Sequence, residues 1–236
     1  MKSKIGCGIV AASLLAAQGV FASFIGTGSL NIVAPGYPPD QAGPYTVTIL
    51  GVTSGLRPIS TGGSFETFCM GPQVDYYPGS TYNYEISDTV QPSGVVSSPG
   101  YDYVTWGVAW LYSQYRAGAI GAGTQNNHLN DALQDAIWTL QGQSLAGVTF
   151  YPDSTAYQNF MDAAANAAAV ANISSDQNNA NGAFGVYALD MVSGGTYAQP
   201  QLCMVPVPEP DTILAGALML LPFGAGALRL VRRRLA

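Results

Sequence analysis

The sequence predicts an α+β fold: a β-rich, sandwich-like domain with a helical insertion, flanked by an N-terminal signal peptide and a C-terminal transmembrane helix. Three observations predict it. Runs of alternating β-branched and aromatic residues fill residues 23–100 and return after residue 183. A block with helical periodicity separates them. Both chain ends are apolar stretches bordered by basic residues.

Residues 1–22 read as a secretory signal peptide. Lys2 and Lys4 open it, Ile5 to Val20 is apolar and small, and Val20-Phe21-Ala22 is a cleavage site that places the cut before Ser23. In the first half of the domain that follows, Pro44 to Leu50, Ser64 to Met70 and Thr81 to Ser87 alternate as strands. Gly62-Gly63 and Pro78-Gly79 supply turns between them.

The period then changes. Tyr103 to Tyr115 sets Tyr103, Trp106, Gly107, Trp110 and Leu111 on one helical face. Leu129 to Leu140 repeats at Leu129, Leu133, Ile137 and Leu140, an amphipathic helix with Asp131 and Asp135 expected in solvent. Pro152 to Thr155 starts a third, alanine-rich helix running to Ala171, with Thr155 and Gln158 spaced as a capping box. Ala183 to Met191 and Gln199 to Val205 return to strand character.

The end of the chain is a second address. Residues 212–231 are almost entirely apolar and approach the ~20 residues that cross a hydrocarbon core. Arg229, Arg232, Arg233 and Arg234 fix the C-terminus in the cytoplasm, so the rest of the chain faces outward. Pro208 and Pro210 exclude regular helix around Glu209 and leave an extended linker. Val207-Pro208-Glu209-Pro210, an apolar helix and a terminal arginine cluster, in that order, resemble the PEP-CTERM sorting signal. The resemblance covers residues 206–236. It implies recognition of Pro208, Glu209 and Pro210 by an exosortase, a membrane transpeptidase of Gram-negative bacteria that often make exopolysaccharide, with membrane contact through the helix before processing.

Between the two signals lies an ectodomain, residues 23–205, long enough for one sizeable core. Up to Pro210 its only basic residues are Arg57 and Arg116, against thirteen acids (all fourteen of the chain except Asp211), a net charge near −11. Such a surface disfavours nucleic acid and anionic lipid. The single histidine, His128, reads as a solvated polar residue, and no metal-ligand spacing, nucleophile elbow or singled-out acid pair is present. The chain is therefore expected to be neither an enzyme nor a cofactor protein.

Two segments carry chemistry. Thr67-Phe68-Cys69-Met70 closes a strand, and Ala132-Leu133-Gln134-Asp135-Ala136-Ile137-Trp138 lies on the amphipathic helix. Together they resemble the Cys–Gln thioester domains (TQXA-type) of bacterial surface adhesins, with Leu133 where that pattern has Thr. The resemblance implies a β-sandwich joined to a helical part, Cys69 as the thiol and Gln134 as the acyl donor. The competing reading is a disulfide. Cys7 leaves with the signal peptide, so Cys69 and Cys203 are the two cysteines left in an oxidising compartment. The two bonds share Cys69 and exclude each other. The function expected is an exported surface or biofilm-matrix protein, an adhesin attaching covalently to extracellular polysaccharide or another surface ligand. The alternative is a disulfide-stapled structural or glycan-binding matrix protein.

Overall fold

A computed structural model describes residues 25–33, 43–55, 62–72, 77, 79–90, 102–120, 127–145 and 153–205. The expected signal peptide (residues 1–22), and the expected 206–236 sorting signal with Pro208, Glu209 and Pro210 and with Arg229, Arg232, Arg233 and Arg234, lie outside the described residues. No helix among the described residues is long and apolar enough to cross a membrane.

The fold is α+β, and the described residues form three α-helices on a seven-stranded antiparallel sheet. The strands are β1 (Gly26–Val33), β2 (Tyr45–Gly55), β3 (Ser64–Thr67), β4 (Thr81–Ser87), β5 (Val186–Ser193), β6 (Thr196–Tyr197) and β7 (Gln201–Met204). Their order is β3-β2-β1-β4-β5-β6, and β7 pairs with the first half of β5. The residues after β3 then join β7: Leu202 N–H donates to Phe68 O (3.0 Å), Met70 N–H donates to Pro200 O (2.9 Å), and Cys69 bridges Gln201. The described strands thus curl into one ring instead of the two stacked sheets expected of a sandwich. Closure protects the backbone edges of β3 and β7 that an open sheet would expose.

Alternation along each strand separates two cores. Leu30, Ile32, Val47, Ile49, Phe65, Cys69, Tyr82, Ile86, Leu189 and Cys203 belong to the cluster inside the ring, which also takes in Trp138 from a helix. Phe68, Met70, Val186, Ala188 and Leu202, their neighbours along the same strands, pack against the helices.

The helices are α1 (Trp106–Arg116), α2 (Asn127–Leu140) and α3 (Ser154–Val170). Helix α1 begins three residues later than the periodicity suggests, because Tyr103 and Thr105 are held as β-bridges to Thr89 and Asn179. Its most buried face carries Val108, Leu111 and Tyr112, while Trp106 sits at the margin, edge-on to Phe184 (5.2 Å). Helix α3 is capped by Asp153, whose carboxylate accepts from Thr155 N–H (2.9 Å) and Ala156 N–H (3.1 Å). The Thr155–Gln158 box therefore gives way to an Asp cap one residue before the helix, and Gln158 bonds Asp162 instead. Helix α2 departs most from expectation. Asp131 and Asp135 are buried, as are Leu133, Ile137 and Leu140, because α2 is the central helix, enclosed on nearly every side.

Candidate functional site

The site forms where the two cores meet. Thr67 ends β3 by turning its hydroxyl across to β7, donating to Leu202 O (2.6 Å) and accepting from Leu202 N–H (3.1 Å). This fixes the next two residues on opposite faces: Phe68 toward the helices, edge-on to Tyr115 (4.9 Å), and Cys69 toward the ring interior.

Gln134, 65 residues away in sequence, meets Cys69 from α2. The Cys69 N–H donates to Gln134 Oε1 (3.0 Å), and Gln134 Nε2–H donates to Cys69 O (2.7 Å). The side-chain amide thus engages the Cys69 backbone at two points. The thiol sulfur of Cys69 stands 3.4 Å from the same Oε1. Both residues are fully excluded from solvent. The backbone contacts orient the amide plane and hold its carbonyl oxygen as the acceptor facing the Cys69 thiol.

Gly43 completes the enclosure. Its φ of +61° suits glycine, and a side chain there would begin 2.9 Å from the Phe68 ring and 3.5 Å from Gln134 Oε1. The chain entering β2 can therefore lie directly against the pair only without a Cβ.

Burial governs the electrostatics. It pushes the Cys69 thiol up to about 12, and the polar groups of Trp138, the Cys69 backbone and Tyr45 only partly oppose it. Burial also raises the Cys203 thiol, and the charge of Asp190 raises it further. On the neighbouring face of α2, burial and then the Asp131 charge lift Asp135 to about 6.

The two sulfurs are free thiols. Cys69 lies opposite Gln201, so Cys203, two residues along β7, is its diagonal neighbour on the same face. Diagonal positions are ~7–8 Å apart between Cα atoms, beyond the ~4.4–6.8 Å that a disulfide usually spans. The structure thus joins Cys69 to Gln134 by contact and leaves Cys203 to one side. His128 is exposed at the start of α2, away from the buried pair. Among the described residues, no group of three His, Cys, Asp or Glu is placed to hold a metal.

The chain was compared with protein-family models, curated proteins and solved structures. None matches.

The sequence missed Tyr45 as a member of the buried cluster that holds Cys69, since only the β2–β3 register, which pairs it with Thr67, places it there. It also missed Gln141, two helical turns beyond Gln134. The Gln141 amide clasps extended backbone in the same way, accepting from Thr105 N–H (3.3 Å) and donating to Tyr103 O (2.6 Å). The seven-residue spacing of the two glutamines, one within α2 and one just past its end, was the available signal.

Proposed function

We propose that this chain is an exported surface or extracellular-matrix protein that attaches covalently through a thioester between Cys69 and Gln134. One observation carries this reading: a fully buried sulfur 3.4 Å from the carbonyl oxygen of an amide whose two polar atoms are held by the backbone of that same cysteine.

The chemistry follows from the contacts. The thiol gives up its proton and sulfur attacks the Gln134 carbonyl carbon. Negative charge collects on Oε1, where the Cys69 N–H already donates. The C–N bond then breaks, the nitrogen takes the proton, and ammonia leaves. The product is an activated acyl group in a site closed to water. An arriving amine or hydroxyl attacks that carbonyl, acquires an amide or ester link to the Gln134 acyl group and returns the Cys69 thiol. Each chain reacts once, so the protein is a covalent adhesin and not an enzyme. The signals at residues 1–22 and 206–236 motivate export, exosortase processing and a location at the surface or matrix of a Gram-negative bacterium. Extracellular polysaccharide or a surface ligand is the acceptor class.

The Gln141 clasp favours a second reading, in which Gln134 is a structural clasp of the same kind and the chain is a non-reactive matrix or glycan-binding protein. Intact mass decides between them. The chain purified from an oxidising compartment without reductant is expected to be lighter by about 17 Da, one ammonia, and the deficit is expected to vanish in Cys69→Ala. An undiminished mass leaves the structural reading. A deficit of about 2 Da reversed by reductant marks a disulfide and removes the thioester.

A further inference from the structure

Gln134 does for Cys69 what a neighbouring strand would do. Cys69 and Gln201 face each other as a non-hydrogen-bonded pair, because the bonds flanking them run from Leu202 N–H to Phe68 O (3.0 Å) and from Met70 N–H to Pro200 O (2.9 Å). The N–H and C=O of Cys69 itself therefore point away from β7. The Gln134 amide meets both, Oε1 accepting at 3.0 Å and Nε2 donating at 2.7 Å. The two bonds close a small cycle through the O=C–N–H unit of the amide. Only the Nε2 hydrogen on the same side as Oε1 can close it, since the other hydrogen points away from Cys69 O. Both residues are fully buried, so no water replaces a bond that this cycle loses.

We propose that this cycle makes attachment one-way: ammonia rebuilds the clasp, whereas a substituted nucleophile leaves it open and carries the acyl group away from the sulfur. The inference rests on the thioester reading and deepens it. Thioester formation expels Nε2 as ammonia, so Cys69 O loses the donor at 2.7 Å. When ammonia attacks the thioester, the C–S bond breaks, one proton passes to the sulfur and the primary amide returns. Its hydrogen beside Oε1 again reaches Cys69 O. A primary amine R–NH2 breaks the same bond and gives up one proton in the same way, but the product is a secondary amide. In its trans form the substituent stands on the Oε1 side of the nitrogen, where the cycle-closing hydrogen was. The cis form would put a hydrogen there, but it is disfavoured by about 70-fold. An ester carries no hydrogen at that position. Every attached product therefore withdraws from the Cys69 backbone, and its carbonyl no longer faces the thiol that could take it back. The N–H and C=O of Cys69 thus decide which acyl bond is reversible.

The test uses the full-length chain. Its thioester is opened in denaturant, once with ammonia and once with methylamine, and each product is refolded, so that entry to the buried site does not limit the reaction. The two products differ by one methyl group, which intact mass verifies. In the ammonia product the Cys69 N–H is expected to resist hydrogen exchange as firmly as its neighbours Met70 N–H and Leu202 N–H, and ammonia is expected to leave again as the thioester re-forms. In the methylamine product Cys69 N–H is expected to exchange at least about tenfold faster, the loss of one to two net hydrogen bonds. Met70 and Leu202 keep their protection there, and methylamine is retained. Crowding by the methyl group alone would lower the melting temperature and leave Cys69 as protected as its neighbours. Equal protection of Cys69 N–H in the two products, or release of methylamine within twofold of the rate for ammonia, overturns the inference while the thioester stands. A parent chain that shows no ammonia deficit overturns both. Should the methylamine product fail to refold, treating the native protein with methylamine supplies it for the same two readouts.

Discussion

Cys69→Ala has a stability consequence that can be worked from the structure. A thioester to Gln134 closes a loop of 65 residues. If it restricts the unfolded chain as a disulfide of that span does, it contributes about 4 kcal/mol. Removing the sulfur from a fully buried position adds about 1 kcal/mol of lost packing. The amide clasp survives, because it uses only the Cys69 backbone. For a domain of this size, each kcal/mol moves Tm by about 2–4 °C. Opening the bond with methylamine should therefore lower Tm by about 8–16 °C, and Cys69→Ala slightly more. The assay is two successive calorimetric scans. In the wild type, unfolding admits water to the acyl bond, so the second scan should fall to the position of the methylamine-opened protein. In Cys69→Ala the two scans should coincide. Untreated and methylamine-treated wild type melting within about 2 °C of each other would refute the cross-link and the energetic argument built on it.

Two further outcomes follow from the surroundings. Asp135 is lifted from 3.8 to about 6 by burial and by Asp131, so folding favours its protonated form. Its contribution is complete below about pH 4 and is lost as pH rises through about 6. Asp135→Asn should accordingly stabilise the domain at pH 7 by about 1 kcal/mol, solvent screening reducing what the shift alone implies, with little change at pH 4; equal denaturant midpoints at pH 7 would contradict this. Gly43→Ala places a Cβ 2.9 Å from Phe68 at a φ of +61°. It should cost about 1–2 kcal/mol in backbone strain and shorten the lifetime of the thioester in water, followed by recovery of mass; an unchanged lifetime would mean that Gly43 does not seal the site.

Cys69 and Gln134 were singled out together by their resemblance to Cys–Gln thioester domains; strand alternation and helical periodicity by themselves do not pair them. The strands Thr81–Ser87 and Gln201–Met204 and the body of α2 were legible because alternation and 3.6-residue periodicity are local properties. What escaped depends on register and enclosure. Ring closure joins Thr67 to Leu202 across 135 residues, which no periodicity reports. Asp131 and Asp135 looked solvated because polar residues usually mark an outer face, but a central helix has almost none. Tyr45 looked like an ordinary strand aromatic until its pairing with Thr67 placed it beside the sulfur.

The two glutamine clasps, one on α2 and one just past its end, bear on how such a site could arise. Gln134 and Gln141 perform the same structural task, each satisfying the N–H and C=O of extended chain that would otherwise be buried without partners. They differ in what stands beside the amide, a cysteine sulfur at Gln134 and backbone at Gln141. Gln134 grips both backbone groups of one residue, Cys69, whereas Gln141 spans Tyr103 and Thr105, so only the Gln134 amide is set against the side chain of the residue it clasps. Burial then acts in two directions. Burial holds the Cys69 sulfur in its protonated form, which slows bond formation. The same exclusion of water that imposes this delay protects the acyl bond once made. A chain that reacts once tolerates slow formation but not premature hydrolysis, so dryness serves it better than a free thiolate would.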